Sequence, residues 1–382
     1  MKHSISLLLS LTILGFPQQI LANTILAQDS QEEEQVQSSE QKTEQNTLFP
    51  ILKEGKLGYI DTEGNIVIEP QFMFSLAARR FSQGVAAIAI DGKGGLIDRN
   101  GNIIIEPQFE HIGEFFAGLA QVIQGGKSGF INQEGEITIA LQFEAVRDFS
   151  QGLAAVQIEG KWGFINSIGD IVIPAKFEDA LDFNPQELAA VKLGKKWGLV
   201  NKMGEMIVAP SFDRVWLFQE GFAAIKIDEK WGFINEEGEI AIAPQFERVG
   251  NFSEGLAYIS LRDQIGYINK SGEIIIEPQF EEGGDFSEGL ATIELGGKWG
   301  FINGEGKIVI SPKYDAAWDF SEGLACIKNG QNIGFINPKE ELVILPQFQR
   351  ASNFINGLAQ VEINRKIGYI DKTGRFIWLP TN

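Results

Sequence analysis

A glycine returns along this chain at an almost fixed interval, at Gly58, Gly95, Gly129, Gly163, Gly198, Gly232, Gly266, Gly300, Gly334 and Gly368. The steps are 37, 34, 34, 35 and then 34 five times over. A unit of that size cannot bury its own apolar face, so a period held over ten copies dictates an array in which each unit is covered by its neighbours. The length of 382 residues would suit two ordinary domains. The repeat makes it one array instead.

Around each glycine the sequence follows one grammar, clearest in the fourth copy. Leu153 to Ile158 reads as a first strand (A), Trp162 to Asn166 as a second (B) and Ile171 to Ile173 as a third (C). Glu159-Gly160-Lys161 joins A to B. Asn166-Ser167-Ile168-Gly169 joins B to C, with the Asn side chain capping its own backbone and Gly169 free to take positive φ. Every copy has Asn or Asp at the first position of that turn, and only the ninth lacks the glycine, carrying Glu340. The ninth hairpin is therefore expected to be the most strained. Each C strand is followed by a connection of about a dozen residues. It carries two aromatics six apart, such as Phe109 with Phe115 and Tyr314 with Phe320, read as plugs that fasten the connection to the core.

The three extra residues of the long step lie in Met73 to Arg80, and the single extra residue lies in Asn184-Pro185-Gln186-Glu187. Both fall in the connection, where insertions are tolerated. Units start near 48, 85, 119, 153, 188, 222, 256, 290, 324 and 358, and Phe376 to Pro380 completes a tenth C strand. Closed propellers often join their ends by sharing one unit between the termini, and none is shared here. Apolar residues on both faces of strand A favour stacking. The expectation is thus an all-β, open, curved, solenoid-like stack of ten three-stranded units over 48–382, with a closed propeller-like ring as the alternative.

Residues 1–27 carry Lys2, an uncharged run from Ile5 to Phe16, and small residues at Ala22 and Ala27. This predicts a secretory signal peptide cleaved after one of those alanines, with an apolar core shorter than the roughly 20 residues of a membrane span. The mature chain is then expected in the periplasm or outside the cell. Residues 28–47 are Gln, Glu and Ser with one valine and no aromatic, a composition expected to stay disordered. Of the formal charge of −19, Lys2 accounts for +1 and the linker's six acids against Lys42 for −5, which leaves −15 on the array. That excess disfavours nucleic acid and anionic lipid, and no stable membrane insertion is expected.

Lys161-Trp162-Gly163-Phe164-Ile165-Asn166, followed by Gly169, the Ile-x-Ile-x-Pro-x-Phe pattern and Phe-Ser-Glu-Gly-Leu-Ala, resembles the WG repeat family, also known as KWG repeats. The likeness covers residues 48 to 380. Only Trp162, Trp197, Trp231 and Trp299 occupy the family's Trp position. The resemblance implies β-rich modules in bacterial, often exported, proteins. It brings no common activity, catalytic residue or ligand.

Reaction chemistry has little to stand on. Outside the leader there is one histidine, His111, and one cysteine, Cys326, too few for a His/Cys metal site or a Cys-His couple. Gly126-Lys127-Ser128 mimics the end of a phosphate loop but lacks its first glycine. Recurring acids such as Glu110, Glu144 and Glu247 read as loop solubilisers. No enzymatic role, cofactor or metal is expected. The motif tryptophans read as core. Trp216 and Trp318, which share a connection position filled elsewhere by Gly, Arg, Leu or Ser, are the candidate partner-facing residues. The expected function is a non-enzymatic extracytoplasmic scaffold that binds protein, with an envelope polysaccharide as the alternative partner.

Overall fold

A computed structural model describes residues 47–73 and 81–381. The expected leader and nearly all of the linker lie outside the described residues. From Leu48 onward the chain forms one unit built entirely of antiparallel strands. The A, B and C strands of all ten copies are present, from Phe49–Lys53, Lys56–Ile60 and Ile66–Met73 to Leu358–Ile363, Lys366–Asp371 and Phe376–Thr381. Among the described residues they fall into nine sheets, because pairing of Met73 with Ala89 joins the first two copies in one six-stranded sheet.

Each of the other sheets has four strands, one more than the sequence suggests. The connection itself supplies the extra strand, a two-residue segment such as Ala145–Val146 that pairs with Gln157 and Val156 of the following A strand. Next comes a tight hairpin. Ser150 and Leu153 exchange backbone bonds of 2.9 and 3.1 Å around Gln151 (φ 51°) and Gly152 (φ 82°). Positive φ at both central residues is the turn whose twist matches the flanking strands.

The array is closed, and the open-stack expectation is corrected here. Ten buried clusters fill the gaps between successive copies. In the fourth-to-fifth joint Phe164, Ile173 and Phe183 meet Ala189, Val191 and Val200. The tenth cluster joins the last copy to the first, through Leu358 and Tyr369 on one side and Phe49, Ile51 and Ile60 on the other. Phe49 and Tyr369 meet edge to face at 5.5 Å, and the Tyr369 hydroxyl donates to the Pro50 carbonyl at 2.8 Å. Turn glycines repeat the pattern: Gly169 sits on Ile139 of the preceding copy, as Gly64 of the first sits on Ile377 of the last. The unshared ends misled the sequence argument because closure runs through sheet faces. No exchanged strand is needed. Sheets stacked face to face around a ring form a β-propeller, in place of a solenoid.

The aromatic plugs are where the sequence places them. Phe149, Phe183, Phe252, Phe286, Phe320 and Phe354 are buried, each with its ring 4.8 to 5.1 Å from the aromatic of the preceding B strand. The motif tryptophans are core or half-buried and face the strand C aromatic, Trp162 opposite Phe177 and Trp231 opposite Phe246. The motif glycine that sets the period has a task of its own. Strand C arches over strand B, with four residues of C spanning two of B. A Cβ on Gly163 would lie 2.5 Å from the Ile173 carbonyl oxygen and 2.6 Å from the Ala175 nitrogen. Only glycine admits that arch.

Candidate functional site

The recurring polar residues are mostly consumed by the fold. All ten Asn/Asp turn residues accept backbone N–H bonds within their own turn, as Asn166 Oδ1 does from Ile168 (3.2 Å) and Asp170 (2.9 Å). The acids after strand C, read from sequence as solubilisers, instead clasp the A-to-B turn of the next copy. Glu110 accepts from Gly125 and Gly126, Glu144 from Gly160 and Glu281 from Gly296 and Gly297. Gly126-Lys127 belongs to one of these clasped turns. A second series links copy to copy, with Glu254 accepting from Gly289, Glu288 from Gly323 and Glu322 from Gly357.

One acid of the connection stays outside these clasps: the residue before the plug phenylalanine, which is Glu114, Asp148, Asp182, Asp285 or Asp319 in five of the copies. The four aspartates are partly buried, Glu114 is exposed, and neighbouring carboxylates are close enough to feel one another. Burial, then the negative charges of Asp182 and Glu114, push Asp148 up to about 6. Burial and Asp319 push Asp285 up to about 6. Asp182 is raised by burial against the opposing pull of Arg147, and Asp319 by burial against a hydrogen bond from Thr292. Removing a carboxylate from water without a paired cation disfavours its charged form. Asp182 Oδ1 and Asp285 Oδ1 are buried with no hydrogen-bond partner.

A cavity of about 330 Å³ opens where connections of the second to fifth copies converge. Phe116, Phe149, Phe183, Trp216 and Phe218 supply aromatic walls, and Asp148, Asp182 and Asn184 supply polar groups. Its origin lies in departures from the repeat. In regular copies the serine after the plug phenylalanine donates to the next plug's carbonyl, as Ser150 does to Phe183 (2.6 Å), Ser253 to Phe286 (2.7 Å) and Ser321 to Phe354 (2.8 Å). Phe116, Asn184 and Gln219 replace that serine in the second, fourth and fifth copies. The one-residue insertion at Asn184–Glu187 puts Asn184 and Pro185 on the cavity wall.

The two candidate tryptophans are not brought together. Trp216 is half-buried, with its ring 4.8 Å from Trp231, yet its free side lines the cavity. Trp318 is 42% exposed and apart from the cavity. His111 lies half-buried in the strand His111–Phe116. Cys326 is buried among apolar neighbours, and burial pushes its thiol up to about 12. Among the described residues no group of three or more His, Cys, Asp or Glu is arranged to hold a metal ion, and no helix is long and apolar enough to cross a membrane.

Sequence reasoning missed the cavity because no single copy contains it. The available signal was the loss of that serine in three of four successive connections.

Among solved structures, the chain is similar to a eukaryotic initiation factor at 12% identity, with a TM-score of 0.51 over 86% of this chain and 94% of that one, a likeness of fold. It also aligns with BamB from Moraxella catarrhalis at 10% identity, over 71% of this chain and 91% of that one, with a TM-score of 0.35. PorZ of the type-IX secretion system of Porphyromonas gingivalis aligns at 12% identity, over 86% and 59%, with a TM-score of 0.30. No functionally curated protein matches the sequence. The model of the WG containing repeat matches nine consecutive segments, from 58–93 through 129–162 and 231–263 to 333–366. With its motif glycine, capped turn and aromatic plug all placed in the fold, this β-propeller belongs to the WG containing repeat family.

Proposed function

We propose that the ring is a non-enzymatic binding platform outside the cytoplasm and that its partner is a protein. One observation carries this reading. The opening residues of the C strands from the second copy to the ninth, each strand at the free edge of its sheet, include exposed aliphatics in all eight successive copies. Examples are Ile103 and Ile104 (both 40%), Ile171 (55%), Ile240 (53%), Ile274 (40%) with Ile275 (44%), and Ile308 (42%) with Val309 (39%). Scattered exposed aliphatics need no explanation, whereas an aligned series marks an interaction surface. Most C strands carry a proline a few residues further on, such as Pro107, Pro244, Pro278 and Pro312, which blocks simple strand addition. Contact through side chains is what remains. The charge of −15 on the array favours a partner whose surface is apolar and basic. Export rests on the leader-like residues 1–27 and sets the compartment.

The test uses the purified full-length chain as bait in an envelope extract. A fourfold variant, I274S with I275T, I308S and V309T, should lose a captured protein without lowering the unfolding temperature. Capture that survives these changes, or cosedimentation with envelope polysaccharide in place of any protein, refutes the protein-platform reading.

A further inference from the structure

We propose that the cavity lined by the connections of the second to fifth copies is a binding site for a small hydroxylated amine, the class that includes amino alcohols and amino sugars. The cavity is separate from the aliphatic edge, so this proposal and the partner surface stand or fall independently.

The unsatisfied atoms define the ligand. Asn184 is 92% buried, at 8% exposure. Its Oδ1 accepts the Leu188 N–H at 2.9 Å, which fixes the orientation of the amide and leaves Nδ2 as the end without a partner. A buried amide N–H left unpaired is destabilising, so a ligand with a hydroxyl or carbonyl oxygen there gains what the empty site lacks. On the same wall Asp182 Oδ1 is buried with no donor. Asp148 also lines the cavity, and the one contact to its Oδ1, from Gln121 Nε2, is long at 3.4 Å. The charges facing the pair are Glu114 and Arg147. Arg147 pairs through Nη2 with Asp179 at 3.2 Å and lies over the Trp162 ring at 5.2 Å, while its Nε is buried without a partner. Its charge offsets one carboxylate and leaves the group net negative.

A ligand that satisfies both walls therefore presents a cation to Asp148 and Asp182 and an oxygen acceptor to Asn184. Phe116, Phe149, Phe183, Trp216 and Phe218 complete the enclosure. Aromatic faces attract ammonium groups and stack against sugar rings, so they suit the same molecule. A volume of about 330 Å³ admits a single hexosamine ring with its water; it lies at the small end of ligand pockets, which run from about 300 Å³. A metal ion fits poorly, since Asn184 offers a donor and not a ligand oxygen.

Glucosamine is the probe, with glucose and N-acetylglucosamine as controls of nearly the same ring and no positive charge. Titration of the full-length chain, followed by calorimetry and by the fluorescence of Trp216, should show glucosamine binding at pH 7.5. Glucose should bind at least about tenfold more weakly, the ratio expected from one charge-assisted hydrogen bond. D182N should lose about the same factor. N184S, which restores the serine of the regular copies, should also weaken binding, whereas D319N in a distant copy should leave it unchanged. Unfolding temperatures verify that each variant is folded. Binding of glucosamine should fall as pH drops below 6. Equal binding of glucose and glucosamine, no binding of either, or equal effects of D182N and D319N would overturn the assignment.

Discussion

The residues that repeat most faithfully here are the ones the backbone cannot do without, and the strongest case is the motif glycine. A methyl group on Gly163 would meet two backbone atoms that cannot move separately from strand C, the Ile173 oxygen and the Ala175 nitrogen. G163A should therefore destabilise the ring by about 2–3 kcal/mol, as overpacking against a rigid neighbour does, and denaturant unfolding measures it. Glu340 is the converse. It holds φ at 65° where other copies have glycine, and its N–H still bonds the Asn337 carbonyl at 2.9 Å. The left-handed conformation costs a non-glycine residue about 1–2 kcal/mol. Its exposed pair with Lys313 returns no more than about 1 kcal/mol. E340G should accordingly stabilise the protein by up to about 1 kcal/mol. A fall in the unfolding temperature would show the ion pair to be the larger effect. The strain at this turn was legible from sequence because a missing glycine in an otherwise constant position is a purely local signal.

At the scale of the element, the connection between copies proves to be structure more than loop. Its two-residue strand pairs with the next A strand, and its plug phenylalanine seals the joint between two sheets. Phe320 is 1% exposed, with its ring 4.9 Å from Phe301. F320A should cost about 3–5 kcal/mol, as a buried aromatic truncation does. The same change at Phe218, whose B-strand partner position is Leu199 and whose ring lines the cavity, should cost less. A similar loss at both positions would contradict the plug reading. The three longer strands and the plugs could be read from sequence, since alternation and six-residue spacing are written within one copy. The short strand could not, because two residues carry no periodicity. Nor could the turn clasps, since Glu110 and Gly125 become neighbours only once the sheets have paired. The cavity was hidden for a related reason: Phe116, Asn184 and Trp216 each look like an isolated exception until four connections converge.

For the whole molecule, two properties follow from closing the ring. The first is its response to pH. Asp148 and Asp285, at about 6, with Asp182 and Asp319 also raised, keep protons in the folded state that the unfolded chain releases near pH 4. The folded state then binds more protons over that interval, so stability falls as pH rises from about 4 to 6 and beyond. Turn carboxylates such as Asp61, Asp98 and Asp371, which hydrogen bonds hold below the usual range despite some burial, act oppositely and are lost only under more acid conditions. Thermal unfolding should peak near pH 4, and D148N with D285N should flatten the decline above it. The second property is the seam. Nine joints are held by both packing and the continuous chain, while the tenth has packing alone, in Phe49, Ile51, Ile60, Leu358 and Tyr369 with the bonds to Pro50 and Leu52. Sequence reasoning read the ends as separate because nothing in the repeat says which face of the last sheet meets the first. F49A with Y369A removes the edge-to-face pair and the hydroxyl bond at that joint. F301A with F320A removes an equivalent pair at an internal joint. Each double change withdraws several kcal/mol of burial, but only the first leaves the ends free to separate. Small-angle scattering should show a larger radius of gyration for the seam variant, and an unchanged radius with a lower unfolding temperature for the internal one. An unchanged radius for both would mean that closure is held by more than the contacts of this joint.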